Sequence, residues 1–297
     1  MPFVRLVALA AMLALAVVAM GCGGGENGGN NRTTLEVVAT IAPVGALARE
    51  VGGDLTRVRV LVGPGVDPHL FSVQADDRKA LESANVILRN GVGIDAFLDS
   101  VVDPRRAVTV TGGIVLRESG GAPDPHVWQD PMNAMAMVDS IATAFAAKDG
   151  ANAETYLANA ARYKQKLEQT DAQIRALLDS IPAANRKMVT NHDSIGYFIA
   201  RYNLRYVGAV IPSLTTGAEP SAKDVSRLSD LIRAEGVKAI FAESSVDPKL
   251  AEQLARDTGV RIVDDLYGDS LGPAGSGAET VDGMLLANAR TIAEALK

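Results

Sequence analysis

The chain of 297 residues has only three histidines, His69, His126 and His192. Two of them close the same tripeptide, Asp67-Pro68-His69 and Asp124-Pro125-His126. Proline fixes its own φ and pushes the residue before it towards extended backbone. Asp-Pro-His can therefore aim an imidazole from a loop with no helix behind it. His192 stands in Thr190-Asn191-His192-Asp193. The one cysteine, Cys22, excludes a thiolate cluster and an internal disulfide framework. Soft-metal chemistry must then come from imidazole. A tetrahedral site needs a fourth donor, and the segment Val263 to Ser270 carries three carboxylates, Asp264, Asp265 and Asp269. Spacing alone does not choose among them.

Each residue also has an ordinary reading. A histidine in a loop is more often hydrogen-bonded than metal-bound, and Asp-Pro is a common turn starter. Trp128 reads as a core aromatic or as a roof over the site. Glu243 ends a strand, where it caps a helix or supports an imidazole from behind. What favours a site is that all three histidines fall beyond strand ends or at helix starts. In open α/β sheets, ligands bind outside the carboxyl ends of strands.

The elements that must position them alternate in α/β fashion from Thr33 onward. Strands are expected at Leu35-Ala39, Val58-Val62, Val86-Leu88 and Val108-Thr111. Helices are expected around Pro43-Val51, Ala75-Ser83, Ile94-Val102 and Pro131-Ala147, the last with Asp130 as N-cap and Pro131 in its first turn. A second series places strands at Lys187-Thr190, Arg205-Val210, Ala239-Ala242 and Arg261-Val263. Its helices are Ser221-Ala234, Pro248-Thr258 and Glu279-Leu296, with Gly236 and Gly259 as stops. Between the series, Tyr156, Ala160, Tyr163, Leu167, Ile174, Leu177, Leu178 and Ile181 recur at three- and four-residue steps. No Gly or Pro interrupts Ala153 to Ile181, so one helix of roughly 40 Å is expected. The fold class is α/β: two similar lobes, each a mostly parallel sheet with flanking helices, joined by one long rigid helix. The expected division is 34–148, 149–182 and 183–297.

The N-terminus reads as an export signal over 1–21. Arg5 precedes the apolar run Leu6 to Met20, which is short for a membrane span. Ala19-Met20-Gly21-Cys22 resembles a lipobox, although Ala19 and Met20 depart from the commoner residues. Cys22 would then carry lipid, and the Gly/Asn-rich stretch 22–33 would be a flexible tether. Charged residues are 22% and the formal net charge is -6, with no basic block. Nucleic-acid binding is disfavoured, because a phosphate footprint needs clustered Lys and Arg.

A set of ordered segments carries a wider resemblance. They are Ile41-Ala42-Pro43, Gly65-Val66-Asp67-Pro68-His69, Asp124-Pro125-His126-Val127-Trp128, Asp130-Pro131, Asn191-His192-Asp193, Tyr197-Phe198, Glu219-Pro220-Ser221, Phe241-Ala242-Glu243 and Tyr267-Gly268-Asp269-Ser270-Leu271. With them the chain resembles the metal-binding proteins of ABC importers for zinc and manganese, the cluster A-I or zinc-uptake type. The resemblance implies one metal held between the lobes by His69, His126, His192 and Asp269. It thereby selects Asp269 among the three carboxylates. It also implies an extracytoplasmic receptor that passes metal to a membrane permease; the lipobox-like residues add a lipid anchor, the rigid helix predicts a small lobe motion, and a monomer is expected. Histidine at position 192 goes with zinc in this family and glutamate with manganese. Three imidazoles and one carboxylate also suit zinc. Zinc-specific members often carry a long His-rich loop in the first lobe, whereas Leu116-Pro123 is short and has no histidine. Manganese is therefore the alternative cargo. From other classes, a surface adhesin or structural lipoprotein is carried, and a zinc hydrolase with Glu243 as base. Four protein ligands would leave that hydrolase no open position for water.

Overall fold

Among the described residues the strand-helix units return to the sheet they left, so two parallel sheets result. The computed structural model describes residues 34–297; the expected signal segment, Cys22 and the tether lie outside them. The first half contains β1 (Leu35–Ile41), α1 (Ala42–Gly52), β2 (Thr56–Val62), α2 (Ala75–Ser83), β3 (Val86–Arg89) and β4 (Ala107–Thr109). Its four strands lie in the order β2-β1-β3-β4, all parallel. Central β1 is buried almost throughout and reads as a near-continuous apolar run. Edge strand β2 instead exposes Arg57 and Arg59, which blunts a free edge.

A small antiparallel hairpin follows, β5 (Glu118–Ser119) with β6 (Ala122–Pro123). Then come α3 (Pro131–Lys148) and α4 (Ala153–Asp179). The Asp130 carboxylate accepts from the Met132 N–H at 2.8 Å, which caps α3 as the Asp-Pro pair predicts. The second half contains β7 (Lys187–His192), α5 (Gly196–Arg201), β8 (Arg205–Ile211), α6 (Ala222–Glu235), β9 (Ala239–Glu243), α7 (Lys249–Thr258), β10 (Arg261–Leu266) and α8 (Val281–Leu296). Its strands lie in the order β10-β9-β7-β8, also parallel. Counted from each half's first strand, both sheets have the order 2-1-3-4. Each therefore has a switch point beside its first strand, where crevices open at carboxyl ends. Left-handed Gly236 and Gly259 stop α6 and α7.

The 27 residues of α4 span about 40 Å. Tyr156, Ala160, Tyr163, Leu167, Thr170, Ile174 and Leu178 form its buried stripe. That stripe joins one apolar cluster reaching from β1 through α3 to α8. Polar bonds pin the helix at both sides. Asn159 donates to the Val51 carbonyl at 2.9 Å, and the Tyr163 hydroxyl donates to Asp282 at 2.8 Å. The helix is thereby tied to α1 of the first half and to α8 of the second.

Four expectations need correction. Ile94-Val102 is no α-helix; it holds one 3-10 turn at Ala96–Leu98. The buried Asp95 carboxylate accepts from Thr40, from the Gly91 N–H and from Arg89, which folds the chain back on β3. The short α5 was not expected, since its apolar run is only a few residues long. Strand β7 runs on to His192 itself. Strand β10 runs on to Leu266, because an exposed edge with a register shift after Val263 tolerates Asp264 and Asp265.

Candidate metal centre

All three histidines and Asp269 come together at the carboxyl ends of the two sheets. His69 lies on the 3-10 turn Pro68–Leu70 after β2, and His126 immediately precedes the turn Val127–Gln129. His192 is the last residue of β7, and Asp269 lies three residues beyond β10. Asp264 and Asp265 stay exposed on β10, away from the cluster. The His126 Nε2 is 2.9 Å from Asp269 Oδ1, and the His69 Nε2 is 3.2 Å from Asp269 Oδ2. The three imidazole rings stand 5.3 to 5.7 Å apart, edge to face. One donor atom from each of the four residues lies within 4.8 Å of all the others. Tetrahedral zinc with bonds of ~2.0–2.1 Å would space its ligands about 3.3 Å apart.

Most of the polar atoms that these residues turn towards one another lack a hydrogen bond elsewhere. His69 Nε2, His126 Nε2, both nitrogens of His192 and both oxygens of Asp269 are buried without a hydrogen-bond partner. Leaving such atoms unpaired is costly, and a divalent cation among them removes the cost. Without the cation, protons take its part. Burial alone would lower the His126 imidazole, but the Asp269 charge and the bond to Asp124 outweigh it and raise it to about 10. His192 is raised too: burial opposes this, while the charges of Asp269 and Glu243 prevail. Burial would raise the Asp269 carboxyl, yet His126 and His192 hold it well below the usual carboxylate range.

Behind these residues stands a set of supports. In both Asp-Pro-His tripeptides the aspartate accepts from the histidine N–H two residues on, at 2.8 Å for Asp67 and 3.0 Å for Asp124. Asp124 Oδ1 also lies 2.7 Å from His126 Nδ1, which turns Nε2 towards the site. Arg117 donates to the other Asp124 oxygen at 2.5 Å. Glu243 Oε1 accepts from Ser194 at 2.6 Å and faces His192 Nδ1 at 3.3 Å. Its Oε2 accepts from the Asp269 N–H at 3.2 Å. A Cβ at Gly268 would fall 1.9 Å from that oxygen, so only glycine lets the loop approach. Trp128 lies beside His126 rather than over an opening, with ring centres 5.6 Å apart. Its Nε1 donates to the Gly268 carbonyl at 3.1 Å, as does Gln129 at 2.7 Å.

The hairpin β5–β6 ties the His126 side to the second half. Ser119 donates to Asp193 at 2.5 Å, and the Arg117 N–H donates to the Tyr197 hydroxyl at 3.1 Å. That hydroxyl donates to the Asp124 carbonyl at 3.0 Å. A Cβ at Gly196 would sit 1.7 Å from an Arg117 nitrogen. Reasoning from sequence missed Asp124, Arg117, Ser194 and Gln129 as supports. Only the repeated Asp-Pro-His pointed at Asp124, and nothing local marked the other three.

Comparison with known proteins agrees with this geometry. A family model described as "ZnuA: Zinc-uptake complex component A periplasmic" matches residues 37–295. The manganese-binding lipoprotein MntA of Bacillus subtilis is 32% identical over 97% of this chain and 98% of its own length. The iron-binding protein YfeA of Yersinia pestis is 30% identical, over 91% of this chain and 89% of its own. The solved periplasmic zinc-binding protein TroA of Treponema pallidum superposes with a TM-score of 0.83 at 30% identity, covering 89% of this chain and 99% of that one. These relatives are named for three different metals, so likeness alone leaves the cargo open. No helix among the described residues is long and apolar enough to cross a membrane. The chain belongs to the ZnuA family: it is an extracytoplasmic, metal-binding receptor of an ABC importer, and not an enzyme.

Proposed function

We propose that His69, His126, His192 and Asp269 hold zinc as cargo and that the receptor hands it to the permease of its importer. The observation that carries this is the convergence of buried donor atoms with no other partner. Three imidazoles and one carboxylate form a donor set that favours zinc over manganese, which prefers oxygen. Glu243 and Trp128 support the site from behind. The division into lobes 34–148 and 183–297, with 149–182 as connector, is part of this reading. So are cleavage after residue 21, lipid attachment through Cys22 to the outer face of the membrane, and action as a monomer.

Manganese is the second reading, favoured by the short β5–β6 hairpin where a His-rich loop would enrich zinc. Competitive titration of zinc and manganese, on the unaltered protein and on His192→Glu, separates the two. Zinc should win on the unaltered protein, and the substitution should narrow the gap. Equal or tighter manganese binding by the unaltered protein would overturn the zinc assignment. Loss of membrane association in Cys22→Ala is the matching expectation for the anchor.

A further inference from the structure

The four ligands are not held alike. Asp269 is fixed by Glu243 at its own N–H and by Trp128 and Gln129 at the carbonyl before it. His126 has Asp124 behind it, and His192 sits within the paired strand β7. His69 rests on a 3-10 turn, and among the described residues no second carboxylate stands at its ring. It is also the one ligand residue that is not fully buried. Val66 and Leu70, on either side of it, are 46% and 67% exposed. The loop 63–70 therefore has solvent on one side and the site on the other.

Two bonds across the seam hold that loop. The Gly65 N–H donates to Ser270 at 2.6 Å, and the Thr216 hydroxyl donates to Asp67 Oδ2 at 2.6 Å. Asp67 uses its other oxygen for the His69 N–H. Thr216 is thus linked through one carboxylate to the backbone of a ligand it does not touch. The opposite seam, at the β5–β6 hairpin, is crossed by three bonds, and its Asp124 and Asp193 are buried.

We infer that loop 63–70 is the door through which the metal passes, and that Thr216, by holding Asp67, sets how fast it opens. Thr216 is a positioning residue, and the inference rests on the zinc site proposed above. A door bond that must part in both directions slows uptake and release together, while a bond that only shapes the site changes affinity.

The test is stopped-flow zinc exchange, with excess chelator for release. It reads Trp128, the single tryptophan, beside His126. Thr216→Val should speed release by about 5- to 10-fold, the scale of one ordinary lost hydrogen bond at a half-exposed position. Association should quicken as well, so that Kd moves much less. Thr216→Ser keeps the hydroxyl and should restore the unaltered rates, and Ser119→Ala on the other seam should leave them near normal. Unchanged release in Thr216→Val, with zinc still bound stoichiometrically, would overturn the door. So would faster release in Ser119→Ala than in Thr216→Val. Failure of the unaltered protein to bind zinc would instead strike the proposed site.

Discussion

The same three residues, Asp-Pro-His, occur twice and are wired differently. At His126 both aspartate oxygens face inward: one takes the backbone N–H and the ring, the other takes Arg117. At His69 one oxygen takes the backbone N–H, and the other reaches across the seam to Thr216. The copy at His126 is bonded within its own corner; the copy at His69 is bonded across the seam. Identical local chemistry thus gives two differently supported histidines, and under the proposal above the one at His69 is the releasable ligand. The difference lies in what the tertiary fold sets opposite the spare oxygen.

Proton competition gives the largest expected effect on this contrast. His126 is raised to about 10 in the metal-free protein, so zinc must displace its proton throughout the neutral range. Affinity should fall about tenfold per pH unit from pH 8 to pH 6 for each proton displaced. Isothermal titration extended from pH 6 to pH 10 measures the slope, and Asp124→Asn should make it level off at a lower pH by lowering His126. A levelling point that Asp124→Asn leaves unchanged would place the proton elsewhere. The sign reverses for the metal-free fold. A raised histidine contributes stability that is full below 6.5 and is lost as pH rises through about 10. The lowered Asp269 carboxyl contributes above 3.8 and loses its contribution as pH falls well below that. Thermal melts should therefore show the zinc-induced gain widening as pH increases.

At fixed pH, the two aspartates should separate. Asp124→Asn should weaken zinc binding about 10- to 100-fold, the usual cost of removing a carboxylate behind a ligating histidine. Asp67→Asn keeps an oxygen for the His69 N–H and should change equilibrium affinity by less than about threefold while speeding exchange. Equal losses in the two variants would erase the distinction between fixed and releasable ligands.

The smallest effect is expected at Gly196. An added Cβ meets the end of the Arg117 side chain, which can swing away, so the fold should survive. Gly196→Ala should then weaken zinc binding only a few-fold, by freeing Asp124 from its guanidinium partner. A loss as large as that of Asp124→Asn would mean that Arg117, rather than Asp124, holds the corner.

Much of this was legible beforehand, and the exceptions have physical causes. Strand-helix alternation, the long stripe of α4 and the capped start of α3 depend on neighbours within a few turns, so local pattern suffices. Ile94-Val102 misled because its apolar spacing is helical, while a buried carboxylate on Asp95 claims the backbone instead. The reach of β10 to Leu266 depends on lying at a sheet edge, which no window of sequence contains.

From the sequence alone came the kind of donor available: no thiolate cluster, three imidazoles at loop positions, and carboxylates in one late segment. Composition decides this, because the residue types themselves limit coordination chemistry. Spacing left Asp264, Asp265 and Asp269 open and the family resemblance selected Asp269; the tertiary structure brings Asp269 to the histidines and leaves Asp264 and Asp265 facing water. Only it set Arg117 behind one Asp-Pro-His and Thr216 behind the other, at separations of 7 and 149 residues. Arg117 reaches Asp124 across the short β5–β6 hairpin, whereas Thr216 meets Asp67 only through the packing of the two halves, and spacing in the chain carries no record of that contact.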